Sequence, residues 1–322
     1  MVLSLSFSAP GLFGSVGAWL GAMPHPPLCC EIAPDCVAVA RHAAKRGRSL
    51  EQFAIEPLPA GAVRPSPVES NVLQQAEVET ALGRALERVG DHGRDVTLIV
   101  PDLAARVLLL HFDNLPQRRA EALSLIQWRL KKSLPFPVED AVVSWQEQPN
   151  PAGGVELMVA VARRDILRQY EVILEAAGYG AGVILPSTLA ALPLLEGVPG
   201  MGGGLTRLNG GALTTAIERD GMLCLYRSVE MSPADATGRA LFDEIYPSVV
   251  YFQDNWHSPI GVLRVGGLEG DWAELRAWME REAGCRIAPL EPSRRLEPGL
   301  TMQQKETVDR YLAAAVGWML NR

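Results

Sequence analysis

The chain is predicted to be an α/β protein in which helices cover the sheets. Short β-rich runs recur at 95–100, 141–146, 155–162 and 260–265, and helix-like stretches lie between them. One such stretch carries Val78, Leu82, Leu86 and Val89 on a single stripe, at spacings of four, four and three. The composition, 48% hydrophobic and 21% charged, is ordinary for a folded chain, and 322 residues suffice for two compact halves or one large domain.

In chain order, residues 28–41 read as one strand, with Val37 and Val39 alternating after a polar turn at 31–35. The strand signal resumes at Phe53–Ile55 and ends at Pro57 and Pro59, before a Pro- and Ser-containing loop. The Val78 stripe follows and closes at Gly90 and Gly93. Runs at 95–100 and 106–112 are separated by Pro101-Asp102. A helix at 117–133 then begins near Asn114 and Pro116 and stops at Pro135 and Pro137. Two strands, a helix at 164–177, a strand at 182–185 and a short helix at 187–195 lead to a glycine-rich break at 197–204. The second part opens with a hairpin around Arg219-Asp220-Gly221, a strong tight-turn signal. Helices are expected at 235–253 (interrupted or kinked at Pro247), 272–283 and 303–320, with a strand at 260–265. No internal repeat is visible in the sequence.

Lys plus Arg number 30 and Asp plus Glu 37, a net charge of −7, so there is no footprint for nucleic acid. One stretch opposes that trend: Arg118, Arg119, Arg129, Lys131 and Lys132 fall on one expected helix, as a solvated face or a surface for anionic lipid or an acidic partner. The five cysteines form no C-x-x-C pair and the five histidines are scattered, which predicts reduced, buried thiols and no metal site. The P-loop pattern, H-E-x-x-H and G-x-S-x-G are all missing, and no catalytic residue is predicted. Residues 1–27 read as a flexible lead-in, apolar in part but broken by Pro10 and several glycines.

Five landmarks in order carry a resemblance. They are the segment 53–63, the proline-bounded run Leu134-Pro135-Phe136-Pro137-Val138-Glu139-Asp140 followed by Trp145, and the helix from Glu244 to Phe252. Val265-Gly266-Gly267 and the closing helix around 314–317 complete the series. Together, from about residue 28 onward, the chain resembles the PilM-type pilus assembly proteins. That resemblance implies the actin-like (ribonuclease H-like) fold, with two α/β halves clasping a nucleotide. The first half would be 28–198, with an inserted α/β subdomain at about 95–162. The second would be 204–322, shortened, with its C-terminal helix packing back.

The resemblance also implies where the nucleotide site would lie, and there the chain departs from the pattern. The family's first phosphate turn, D-x-G-x-x-x-x-K, falls on Glu31, Ala33 and Ala38. Ala33-Pro34 adds bulk and removes an N–H donor where phosphate needs close backbone approach, and Ala38 supplies no cation. The second turn, D-x-G, falls on Asn209, Gly210 and Gly211, with an amide where a carboxylate would help place Mg²⁺. Gly266 and Gly267 form the late glycine pair. Arg227–Glu230 runs almost directly into the helix at Asp243, leaving no room for the family's lid. The expectation is therefore a degenerate site with no cofactor, ATP and Mg²⁺ being bound weakly or not at all, and no enzymatic activity.

The expected role is a cytoplasmic scaffold at the inner face of the inner membrane. It would bind the short N-terminal tail of a PilN-type membrane partner and reach the membrane through that partner, with self-association left open. Phe112, Trp128, Phe136 and Trp145 are the candidate lining of a tail groove. Two alternatives stand beside it: an active actin-like ATPase or kinase using Gly210-Gly211 and Gly266-Gly267, and a GspL-like platform of a type II secretion system.

Overall fold

The structure is a computed structural model that describes residues 25–43, 49–90, 93–150, 153–268 and 272–321. Of the expected lead-in, residues 1–24 lie outside the described residues.

The first half is built on β1 (Leu28–Ile32), β2 (Cys36–His42), β3 (Leu50–Pro57), β4 (Asp95–Val100) and β8 (Gly180–Pro186), in the order β3-β2-β1-β4-β8. The first three form an antiparallel meander; β4 and β8 run parallel to β1. β1 and most of β2 are buried on both faces, which explains their near-continuous apolar sequence. Helix α1 (Gln75–Val89) lays Val78, Ala81, Leu82, Ala85, Leu86 and Val89 on this sheet and stops at Gly90, whose φ is +82°.

The second half repeats the plan with β9 (Gly202–Asn209), β10 (Ala212–Arg219), β11 (Met222–Glu230), β12 (Ile260–Gly266) and β13 (Arg286–Pro289), in the order β11-β10-β9-β12-β13. The meander, the parallel partners and the strand order are those of the first sheet. Helices α5 (Gly238–Trp256) and α6 (Ala273–Ala283) make its crossovers. α5 begins at Thr237, whose hydroxyl accepts from the Ala240 N–H at 3.2 Å, and carries Pro247 inside it.

Between β4 and β8 stands a subdomain of three antiparallel strands, β5 (Arg106–Phe112), β6 (Ala141–Gln148) and β7 (Val155–Arg163), in the order β5-β7-β6; it begins after β4 and not at residue 95, because β4 pairs with β1 and β8 in the first sheet. Helix α2 (Arg119–Leu130) packs on it through Ala122, Ile126 and Leu130, and α3 (Arg164–Ala176) returns the chain to the first half. Gln148 clips the subdomain to the second half: its Oε1 accepts from the Leu223 N–H at 2.8 Å, and its amide donates to the Leu223 carbonyl at 3.2 Å.

Each half and the subdomain has its own core. A fourth cluster joins the halves, with Cys29 and Ile99 from one, Leu205, Ala216 and Leu223 from the other, and the C-terminal residues between them. Those residues form α7 (Met302–Tyr311) and α8 (Ala313–Met319), the latter against α4 (Ser187–Ala191).

Four expectations need correction. The run 28–41 is two strands, because Ala33-Pro34-Asp35 folds into a turn closed by the Ala33 N–H donating to the Cys36 carbonyl at 2.9 Å. Glycines 202–204 are strand, not a break: a Cβ at Gly202 would lie 2.6 Å from the Phe252 ring, and one at Gly204 2.5 Å from Leu263 Cδ1. Only a bare α-carbon fits there. The helix at 303–320 is two helices, parted at Leu312 with φ −112° and ψ 18°. α7 buries Val308 alone of its ten residues, whereas all seven of α8 are buried; a surface helix and an interior helix need different directions. Finally, β13 has no counterpart among the expected strands, because its four residues, Arg-Ile-Ala-Pro, show too little alternation.

Candidate functional site

The two turns compared above with phosphate loops face each other across the junction of the halves, and they touch. A Cβ at Gly210 would lie 3.0 Å from Pro34 Cδ and 3.5 Å from Pro101 Cβ. Glu31 projects from β1 into the same place and is buried. Its Oε1 accepts from the Ser187 hydroxyl at 2.6 Å and the Asn209 amide at 2.9 Å. Asn209 also donates to Ser187 Oγ at 2.7 Å, as does Arg207 at 2.9 Å. Burial pushes the Glu31 carboxyl above its ordinary 4.5, opposed by the Arg207 charge and by the bonds from Ser187 and Asn209. Its Oε2 has no hydrogen-bond partner among the described residues.

Beside this cluster lies a second one, centred on Asp102, that sequence reasoning missed. The Asp102 carboxylate accepts four bonds. Oδ1 takes the Thr188 N–H (2.8 Å) and the Tyr226 hydroxyl (3.1 Å); Oδ2 takes the Thr188 hydroxyl (2.5 Å) and the Thr214 hydroxyl (2.9 Å). Burial, with Asp102 alongside, drives the Tyr226 phenol well above its ordinary range. In the sequence Pro101-Asp102 is a separator between two strands, and the partners of Asp102 lie too far along the chain to be paired by spacing.

The remaining glycines serve packing. Gly267, with φ +74°, passes so close to β9 that a Cβ would sit 2.0 Å from the Leu208 carbonyl oxygen, and Gly266 backs onto Leu290. Gly211, with φ +78°, has open space around it, and its carbonyl accepts from the Met231 N–H at 2.9 Å.

A second feature is an open groove of ≈ 1250 Å³ between β8, β6 and α3. β8 ends the first sheet and β6 ends the three-stranded sheet, so among the described residues no strand pairs with either outer edge. Six carboxylates and three arginines line the groove. Arg163 is paired with Asp165, and Arg168 with Glu175 and Glu171. Among the described residues Asp95, Glu139 and Asp140 make no ion pair, nor does Arg164, so three carboxylates stand against one arginine and the wall is acidic on balance.

No protein-family model and no curated protein matches the sequence. Solved structures do match. A structure described as a PilM-PilN type IV pilus biogenesis complex aligns over 92% of this chain and 98% of its own, at 19% identity, with a TM-score of 0.77. A protein from Bacteroides thetaiotaomicron, described as having an actin-like ATPase fold and unknown function, aligns over 90% and 94% at 10% identity, with a TM-score of 0.53. The fold is actin-like. The cytoplasmic domain of EpsL from Vibrio cholerae is a looser likeness, with 13% identity over 87% and 92% and a TM-score of 0.46, from which nothing follows.

Within this actin-like fold, Glu31, Ala33, Asn209 and Gly210 are brought together at the centre of the cleft, with Gly211 at its edge. Gly266 and Gly267 stand one layer behind, against Arg207 and Leu208. What the arrangement can do chemically is hold the two halves together through neutral and charged hydrogen bonds. The four aromatic residues divide. Phe112 and Phe136 lie in the subdomain core with Ile126, Leu130 and Leu157, and Trp145 packs against that core beneath the Arg119 guanidinium, 4.4 Å from its ring centre. Trp128 is 68% exposed on α2. Among the described residues there is no cluster of groups that could hold a metal ion, and no helix is long and apolar enough to cross a membrane.

Proposed function

We propose that this protein is a cytoplasmic scaffold of a type IV pilus-like inner-membrane assembly, binding a short tail of a PilN-type membrane partner. The groove between β8 and β6 is the observation that carries this reading. Two strand edges that no described strand pairs with are what the addition of an extended segment needs. The acidic wall of Asp95, Glu139 and Asp140 selects a tail with basic residues. The likeness to the PilM-PilN structure supports the identity of the occupant.

Nucleotide binding is weak or lost in this reading. Pro34 occupies the approach to Gly210, and the Glu31 carboxylate fills the place where an anionic phosphate would have to enter. Two titrations of the purified protein test both parts. A synthetic peptide of the N-terminal tail of the PilN-type neighbour gives saturable binding, and Mg-ATP gives no binding heat. Absence of peptide binding overturns the scaffold reading; micromolar affinity for Mg-ATP overturns the lost site.

A further inference from the structure

Helix α2 has two faces. One, made by Ala122, Ile126 and Leu130, is buried on the three-stranded sheet. The other presents Trp128, 68% exposed, together with Lys131 and Lys132 just past the helix end, both exposed. The helical backbone continues into Lys131, whose N–H donates to the Gln127 carbonyl at 3.1 Å, so Lys131 and Lys132, three and four residues beyond Trp128, fall on its side of the helix. Arg129 is exposed next to it. The acid on the same side, Glu121, is already paired with Arg118 at 3.3 Å. Arg129, Lys131 and Lys132 make no ion pair with the described residues.

This patch runs against the rest of the molecule. The chain carries a net charge of −7 and four lysines (Lys45, Lys131, Lys132, Lys305), two of which stand side by side here. A solvated helix face explains the cations but not an indole left two-thirds in water. An exposed indole with lysine and arginine as its neighbours in the chain has the chemistry of the interface of an anionic bilayer: the ring sits at the headgroup level while ammonium groups meet lipid phosphates. Long lysine stems allow the charge to reach headgroups while the backbone stays on the protein.

We infer that the exposed face of α2, from Trp128 to Lys132, is a docking surface for anionic phospholipid, by which the inserted subdomain touches the membrane directly. This contact is separate from any held through a partner, and it does not depend on what occupies the groove.

Vesicle flotation of the full chain tests it, with phosphatidylcholine alone or mixed with phosphatidylglycerol. The chain floats with the mixed vesicles, stays unbound with the neutral ones, and is released by salt. Replacing both lysines (K131Q/K132Q) weakens partition by roughly thirtyfold, from about one kcal/mol for each basic residue near the surface. Both side chains are exposed, so the variants keep the wild-type circular dichroism and urea midpoint. W128A weakens partition as well, and on the mixed vesicles the wild-type emission shifts to the blue by a component that W128F does not gain. Equal partition onto neutral and anionic vesicles overturns the inference, as does unchanged partition of both variants. Failure on every vesicle, with binding of an acidic polypeptide such as polyglutamate lost in K131Q/K132Q, assigns the patch to a protein and also overturns it.

Discussion

Glu31 shows what a single buried carboxyl does to this molecule. In the unfolded chain it titrates near 4.5, and in the folded protein higher, because burial outweighs the help from Arg207, Ser187 and Asn209. Between those two values the folded protein holds a proton that the unfolded chain has released, so stability falls as pH rises through that window and stays lower above it. Glu31→Gln removes the titration. Its stability relative to wild type therefore climbs from acid to neutral pH, read as urea midpoints at a series of pH values. A difference that stays flat with pH would mean that Glu31 titrates normally. Glu31 and Asn209 were legible as site candidates because a short motif places each of them. Asp102 was not, since an aspartate after a strand-ending proline has an ordinary local reading and its four donors come from Thr188, Thr214 and Tyr226.

At the scale of elements, the boundary between groove and core was the part least visible beforehand. Phe112 and Phe136 sit on opposite sides of α2 in the sequence yet meet in one core, while Trp128, on the helix between them, faces water. Period alone gave no way to separate these roles in a helix whose outer face is mixed. The groove itself depends on which strands end their sheets, a property of topology that no strand's own residues carry. Its acidic wall predicts a charge effect. Glu139→Lys with Asp140→Lys, both exposed, weakens binding of a basic tail peptide by about tenfold, the equivalent of about 1.4 kcal/mol. Fluorescence anisotropy measures it, and tighter binding by the doubly reversed protein would contradict a basic tail.

For the whole molecule, α8 is the wedge that makes two halves one body. Trp318 is fully buried there, stacked on His25 with ring centres 4.3 Å apart. Gly317 lets α8 approach α4 so closely that a Cβ would meet the Ala190 carbonyl oxygen at 2.5 Å and Ala191 Cα at 2.7 Å. Gly317→Val forces these helices apart and costs about 3 kcal/mol, seen as a lowered urea midpoint. An unchanged midpoint would show that the helices part without loss. The closed cleft is a property at this same scale, since Pro34 and Pro101 from one half meet Gly210 from the other.

The sequence by itself determined the α/β class and the position of most strands and helices. Both rest on residues within a few positions of one another, where side-chain period and turn chemistry act directly. Tertiary structure decided the rest. It showed that the two sheets share one strand order although their sequences show no repeat, because a strand's place in a sheet is set by its neighbours rather than by its own residues. It also filled the cleft, through bonds from Glu31 to Ser187 and Asn209 that span 156 and 178 residues. Contacts at such separations follow only from how the whole chain packs. For that reason the turn at Ala33-Pro34 could be read in advance as unfit for phosphate, but not as one side of a closed junction.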